Sequence, residues 1–493
     1  MISLHYPILN VVVPLIAAPL MVLARHGGFA WLLATVVSGS SLAVSVALFA
    51  EVADGSVISY AIGSWAPPWG IEYRIDSVNG FLLVLVSLIA SVVAVYSRES
   101  VAAEVAPEQH YLFYTMYVLC LAGLLGIAAT GDGFNLFVFL EISSLSSYVL
   151  IALGRDRRAL MASYQYLIMG TIGATFIVIG VGLLFLMTGT LNLADMAARL
   201  PGISETRPIL AALAFLTVGI CLKLALFPLH LWLPNAYAYA PSAVTAFLAA
   251  TATKVSLYVL LRFYYSVFGE SVIFAALPMG AILLALSLAA VFIASTVAIF
   301  QHDVKRLFAY SSVAQIGYIT LGVSFDSLTG LTAAIVHLFN HALTKGALFM
   351  LLGGVALRLG AVRFQDIGGI ARVMPLTSFG IVLAGLSLIG VPGTVGFVSK
   401  WYLVLAALEA GAWWLAVLIV LGSLLAVIYV WRFVEAAYFR EPSAAVARLR
   451  EPPLSMLATS WLMVAACVYF GLDTSLTIGG AAQAAAGLLG GGR

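Results

Sequence analysis

Stretches of about twenty mostly apolar residues follow one another along this chain, joined by short connections, and each is long enough to cross a bilayer as a helix. We place about fourteen such spans, near 6–24, 29–50, 77–97, 111–130, 133–153, 163–188, 209–231, 243–267, 271–298, 305–324, 328–357, 376–405, 413–438 and 455–472. The chain has 493 residues, of which 63% are hydrophobic and 9% charged. A soluble domain carries about 25% charged residues, so this composition excludes a soluble fold. The expected class is an all-α polytopic membrane protein lying in a lipid bilayer. The longest connections, near 51–76, 189–208 and 439–454, are too short for a soluble domain. The Gly/Ala-rich tail after residue 473 reads as disordered or weakly helical. The first apolar stretch has no basic residue before it, unlike a signal peptide, and reads as a retained first helix.

Basic residues orient the spans. With the N-terminus outside, inside connections hold fourteen Lys and Arg, from Arg25 to Arg450, and outside connections hold five: Arg74, Arg199, Arg207, Arg262 and Arg493. This bias predicts both termini outside. Net charge is +2 and gives no sign of a nucleic-acid partner. Cys120, Cys221 and Cys467 are far apart in apolar runs and suggest neither a disulfide framework nor a metal site.

The remaining cations are unusual. Of five lysines, Lys223, Lys254, Lys345 and Lys400 lie inside apolar runs, as does Glu141, whereas the arginines sit at span ends or in loops. A charge at the bilayer centre costs about 2.5–3.5 kcal/mol on insertion scales, so these five would cost on the order of 10–15 kcal/mol if unpaired. They must face one another, a wet cavity or the bundle interior. Arginine stays protonated, whereas a buried lysine can lose its proton. That choice favours a proton relay over a set of ion pairs that only fix packing.

Local patterns extend this reading. Glu141 is followed by Ser143, Ser144, Ser146 and Ser147, which can hydrogen-bond a carboxylate or serve as small packing residues. A Glu141–Lys223 pair is the expected switch. Pro228 and Pro234 follow Lys223, and Pro392 precedes Lys400; broken helices at membrane depth line ion sites in transporters, although a proline can also be a plain kink. Lys254 reads as the next station or as a snorkelling amine. His337, His341 and Lys345 recur at i, i+4 and i+8, one stripe on a helix that suits a proton wire or hydrogen-bonded core histidines. The His-x3-His spacing lacks a third ligand, so it makes a weak metal site. At 303–306, Asp303 suits a helix cap, and Lys305 and Arg306 read mostly as inside surface charges, with proton entry as the lesser reading. No Walker motif, GxGxxG or CxxC pattern occurs, and no cofactor is expected. An ion gradient or a partner subunit must supply the drive.

These segments resemble the antiporter-like subunits shared by respiratory complex I, membrane-bound hydrogenases and multisubunit Mrp-type Na+/H+ antiporters, over roughly residues 75–440. FLEISSLSSY, LKLALFPLHLWLPNAYAYAP, HDVKRLFAYSS, HLFNHALTKGALFM and GVPGTVGFVSKW carry the likeness. Within the group the chain looks most like the D subunit of the Mrp antiporters. It departs from complex I members at Tyr237, where they usually have histidine, and Lys400 stands where one paralogue has glutamate. The resemblance implies fourteen helices with two inverted five-helix repeats, each containing a broken helix. That divides the chain into an N-terminal three-helix segment (1–110), a first repeat (111–268), a second repeat (271–438) and a C-terminal part (439–493). It also implies a mid-membrane file of Glu141, Lys223, Lys254 and Lys400, with the Lys345 helix between the halves. The expected function is proton translocation within a monovalent cation (Na+)/H+ antiporter complex in a bacterial or archaeal cell membrane. Its partners are then the other subunits, protons and Na+. A proton-pumping subunit of a redox complex and a non-transporting scaffold are the alternatives.

Overall fold

A computed structural model of the protein describes residues 3–490; Arg493, placed outside in the charge count, lies beyond them. Helices α1 (Tyr6–Ala24) and α2 (Gly27–Val52) lead into a hairpin of β1 (Ile58–Ala61) and β2 (Glu72–Ile75). There follow α3 (Ser77–Glu104), α4 (His110–Ala129), α5 (Gly133–Ala152), α6 (Arg157–Thr188) and the short α7 (Leu193–Arg199). Next come α8 (Arg207–Leu224), α9 (Trp232–Tyr239), α10 (Ser242–Leu261), α11 (Met279–Ala289), α12 (Ser295–Ile299), α13 (Val304–Ser324) and α14 (Leu328–Leu359). The chain ends in α15 (Pro375–Ile389), α16 (Val395–Glu409), α17 (Trp413–Val434), α18 (Leu454–Leu472) and α19 (Ser475–Gly490).

Among the described residues, 12 helices are long and apolar enough to cross a membrane. The other two spans of the sequence count depart for visible reasons. Helix α13 has 21 residues but opens on Lys305 and Arg306 and is less apolar. The run 376–405 is not one helix, because α15 stops at Ile389 and α16 restarts at Val395. The run 209–231 is likewise broken, at Leu224. Ala225 adopts the left-handed conformation (φ 60°), so the helix ends four residues before Pro228. Pro234 then falls in the first turn of α9, where a missing amide hydrogen costs little.

Acidic and hydroxyl side chains start several of the helices, α5, α13 and α14 among them. Asp132 accepts from the Asn135 amide at 2.7 Å, Asp303 from that of Arg306 at 3.0 Å, and Ser327 from that of Gly330 at 3.1 Å. Each satisfies an amide that a helix N-terminus leaves free. Burial then sorts the spans. Most of the α10 window, 94%, is buried, against 33% for α17 and α18, so α10 and α14 form the centre of the bundle and face each other. Helices α6 and α8 approach most closely at Gly173 and Gly219. A Cβ on Gly219 would lie 2.6 Å from the Gly173 carbonyl oxygen, so only glycine fits there.

Two segments carry more structure than the apolar runs signal. The connection 51–76 contains the hairpin, paired in antiparallel register with Ile58 opposite Ile75, which four-residue strands could not signal. The tail is a 16-residue helix, α19, packed on α3 and α14 through Thr477, Ala481, Ala484, Ala485 and Leu488. Of the two readings of the tail, disordered or weakly helical, it is the helix that is observed, and its small side chains are what let it lie close. The hairpin, α7 and α19 mark one face of the bundle. The 303–306 turn and the start of α10 mark the opposite face.

Candidate functional site

Lys223 is the second-last residue of α8, at the break, where the negative end of the half-helix dipole favours a cation. Its ammonium donates to Ser144 Oγ at 2.7 Å and lies 3.5 Å from Glu141 Oε1 of α5. The expected pair is therefore in contact. Of the alternatives for the four serines, direct bonding to the carboxylate is not seen among the described residues, and close packing is, with Ser143 against Gly123. Ser143, Ser146 and Ser147 return their hydroxyls to carbonyls of their own helix, and only Ser144 turns to the pair, through the lysine. Beside Lys223 is a cavity of about 20 Å³ lined by Ser143, Ser144, Ser147, Tyr166 and, from α10, Ala252, Val255 and Ser256, room for about one water. At the break the carbonyl of Leu222 accepts from the Ala225 amide at 3.2 Å and from the Trp232 indole N–H at 2.9 Å. His230, in the break itself, is buried, and its Nδ1 has no partner among the described residues.

Lys254, 1% exposed, does not snorkel. Its ammonium turns back to the Ala249 carbonyl and to Thr253 Oγ1. Helix α14, which carries His341 and Lys345, packs against α10. Among the described residues no carboxylate partners Lys254.

The α14 stripe points inward as expected. Lys345 donates to the Phe308 carbonyl at 2.7 Å and to Ser311 Oγ at 2.5 Å, both on α13. His337 bridges two helices, with Gln315 Oε1 of α13 at 2.9 Å from Nε2 and Ser399 Oγ of α16 at 2.8 Å from Nδ1. Between them, His341 is buried, and neither ring nitrogen has a protein partner among the described residues. The two rings lie 6.4 Å apart, nearly parallel.

Lys400, next to the His337 partner Ser399, reaches back across the second break. Its ammonium donates to the carbonyls of Leu388 (2.8 Å) and Ile389 (2.9 Å), the last residues of α15, and to Ser423 Oγ at 3.0 Å. It also lies 4.7 Å from the centre of the Tyr318 ring. The two proline-marked helices thus differ in sequence yet agree in space. Each break holds a lysine at the C-terminal end of its first half, supplied from that half in one case and from the second half in the other.

The fifth lysine departs from the sequence reading. Lys305 is buried, and its ammonium donates to Ser242 Oγ at 2.8 Å, at the start of α10. Glu104 Oε2 accepts from the Ser242 amide (2.8 Å) and hydroxyl (3.2 Å). Glu104, Asp303, Lys305, Arg155 and Arg158 line a polar cavity of about 280 Å³ open to that face. Burial raises the Asp303 carboxyl above the usual carboxylate range, against the pull of the Arg306 amide and the Lys305 charge. Sequence reasoning missed Glu104, Ser242, Gln315, Ser399 and Ser423. Their partners lie 22 to 138 residues away in sequence, and no local pattern could point to them.

Comparison with known proteins adds context. Residues 130–426 match the family model described as NADH:quinone oxidoreductase/Mrp antiporter, TM. The chain is 45% identical over 459 residues to the N subunit of NADH-quinone oxidoreductase from Desulforudis audaxviator, covering 91% of this chain and 89% of that one. It is 29% identical over 401 residues to the D subunit of the Na(+)/H(+) antiporter from Alkalihalophilus pseudofirmus, covering 81% and 80%. Among solved structures, a chain of the Mrp complex from Dietzia sp. DQ12-45-1b superposes with a TM-score of 0.90 at 27% identity, covering 99% and 98%. A chain of the membrane-bound sulfane sulfur reductase, an archaeal respiratory membrane complex, gives 0.90 at 29% identity, covering 98% and 97%.

Proposed function

The chain belongs to the NADH:quinone oxidoreductase/Mrp antiporter membrane family, and on that premise we propose that it is a proton-translocating subunit of a redox-driven membrane complex. The observation that carries translocation is the Glu141–Lys223 contact at the α8 break. While the carboxylate and Ser144 hold it, the lysine is stabilised as an ammonium; when the contact opens, it can release its proton toward Lys254. The stripe Lys345, His341, His337 then leads to Lys400 at the second break, so every amine has a titratable neighbour along the bundle. Relatives and structural neighbours of this kind are named as parts of multisubunit complexes, and this chain works with other subunits in the same way.

The sequence favours a Na+/H+ antiporter complex; the 45% identity to an N subunit of the oxidoreductase, against 29% to a D subunit of the antiporter, shifts the reading to a redox partner. The antiporter remains the second reading, supported by the superposition on the Mrp complex across 99% of the chain. The two-repeat division at 111–268 and 271–438 gains support from the breaks, each in the fourth of five spans of its half. Both termini outside, with the hairpin face outward, follows from the basic-residue bias.

The test is purification of the native complex from its host membrane. Iron–sulfur or quinone-reducing partners, and acidification of vesicles driven by an electron donor, are expected. Small antiporter subunits and acidification changes driven by Na+ would select the second reading. Lys223→Arg in the assembled complex keeps the charge but loses the titration. We expect lost transport, and wild-type transport would leave only a scaffold role.

A further inference from the structure

We infer that the hairpin-face end of α10 is a gated opening to the amine file, closed by an ion pair between Asp76 and Arg262. This rests on the proton-translocating reading above. Lys254, Tyr258 and Arg262 occur at i, i+4 and i+8 on α10 and its extension, one stripe that climbs about 6 Å per step. Above the stripe is a cavity of about 630 Å³, bounded by the hairpin, α7 and α19, with Asp54, Arg74, Thr130 and Gln483 among its walls. Its floor is Arg262 and Tyr258, which both line it, and the Arg262 guanidinium donates to both Asp76 carboxylate oxygens at 2.5 Å. Arg262 Nε also donates to Tyr258 Oη at 3.0 Å, and Tyr258 donates to the Ala128 carbonyl at 3.0 Å. Asn79 braces the group through the same carbonyl at 2.9 Å. One helical turn below Tyr258 is Lys254.

The residue type carries the argument. Inside the bundle the chain places lysines, which can shed a proton. At this floor it places arginine, which cannot. Held by Asp76, this arginine sets across a narrow point a side chain that takes no part in proton exchange, as arginine does in pores that exclude protons. A buried ion pair adds little net stability over an apolar contact of the same shape, so packing alone gives a weak reason for it. In the structure the guanidinium lies down on Tyr258 and Asp76 and bars the stripe; swung up into the cavity, it would uncover the way past Tyr258 to Lys254. Asp76 stays fixed in either, because it also caps α3 through the Val78 and Asn79 amides.

The experiment is cysteine accessibility in the assembled complex, in sealed vesicles of known orientation. Cys120, Cys221 and Cys467 are first replaced by alanine. Thr253→Cys, beside the Lys254 ammonium (3.4 Å), reports from below Tyr258, and exposed Ala194→Cys on the cavity rim is the control. A membrane-impermeant, charged methanethiosulfonate is applied from each side. With Arg262 intact we expect slow labelling of Thr253→Cys. Adding Arg262→Gln should speed it at least tenfold, from the hairpin side only, and Arg262→Lys, which keeps a cation, should speed it less than threefold. An unchanged rate, equal gains from both sides, or equal gains in the Lys and Gln variants would overturn the gate. Labelling needs no transport, so a transport-inactive complex that still shows this pattern refutes the proposed function and leaves the opening standing.

Discussion

Replacing Glu141 by glutamine removes the carboxylate beside Lys223 while keeping the side chain's size. At 3.5 Å and an effective dielectric constant of about 20, the attraction is about 4–5 kcal/mol. Glu141 is a quarter exposed, so solvent or a neighbouring subunit screens part of it, and Ser144 still accepts from the lysine. We take about 2 kcal/mol as the loss to the charged form of Lys223, which at 1.4 kcal/mol per decade is a factor of about 30. Glu141→Gln should therefore lower coupled proton transport about thirtyfold. Glu141→Asp, with the carboxylate drawn back to about 5 Å, retains about 3 kcal/mol of the attraction and should fall between wild type and glutamine. The assay is substrate-driven acidification by the reconstituted complex, normalised to the amount of fully assembled complex. Glutamine at or near the wild-type rate, with assembly intact, would refute the switch.

Three further outcomes follow from particular contacts. Lys400→Met leaves the Leu388 and Ile389 carbonyls without their shared donor, each such loss costing about 1–3 kcal/mol; both transport and the thermal midpoint of the purified complex should fall. Trp232→Phe removes one of two donors to the Leu222 carbonyl, which keeps the Ala225 amide, so a destabilisation of about 1 kcal/mol is expected by thermal unfolding in detergent, with transport lowered because Lys223 is the next residue. Gly219→Ala pushes a methyl against the Gly173 carbonyl and should destabilise by about 1–3 kcal/mol, whereas alanine at Gly182, with open space around it, should be neutral; the contrast is read from the two midpoints.

Much of this protein could be read from its residues alone. Apolar runs of bilayer length set the class, because a backbone in lipid must satisfy its own hydrogen bonds and does so as helices. The choice of lysine over arginine at depth marked Lys223, Lys254, Lys345 and Lys400, and the i, i+4, i+8 spacing placed His337, His341 and Lys345 on one face, since helix periodicity is a local property. The prolines marked both broken helices, though not the residue where α8 stops, which a left-handed Ala225 decided.

Only the tertiary structure showed what the amines touch. Glu141 and Lys223 are 82 residues apart, and nothing local says that α5 and α8 meet there. The opposite offsets of Lys223 and Lys400 from their prolines look inconsistent along the chain and become equivalent only when Lys400 reaches back to α15. Lys305 reads as a surface charge until α10 and Glu104 are packed against it, and the Gly/Ala tail reads as loose until α3 and α14 give its small side chains a surface to lie on. Contacts of this kind depend on which faces the bundle brings together, and periodicity along one helix cannot carry that information.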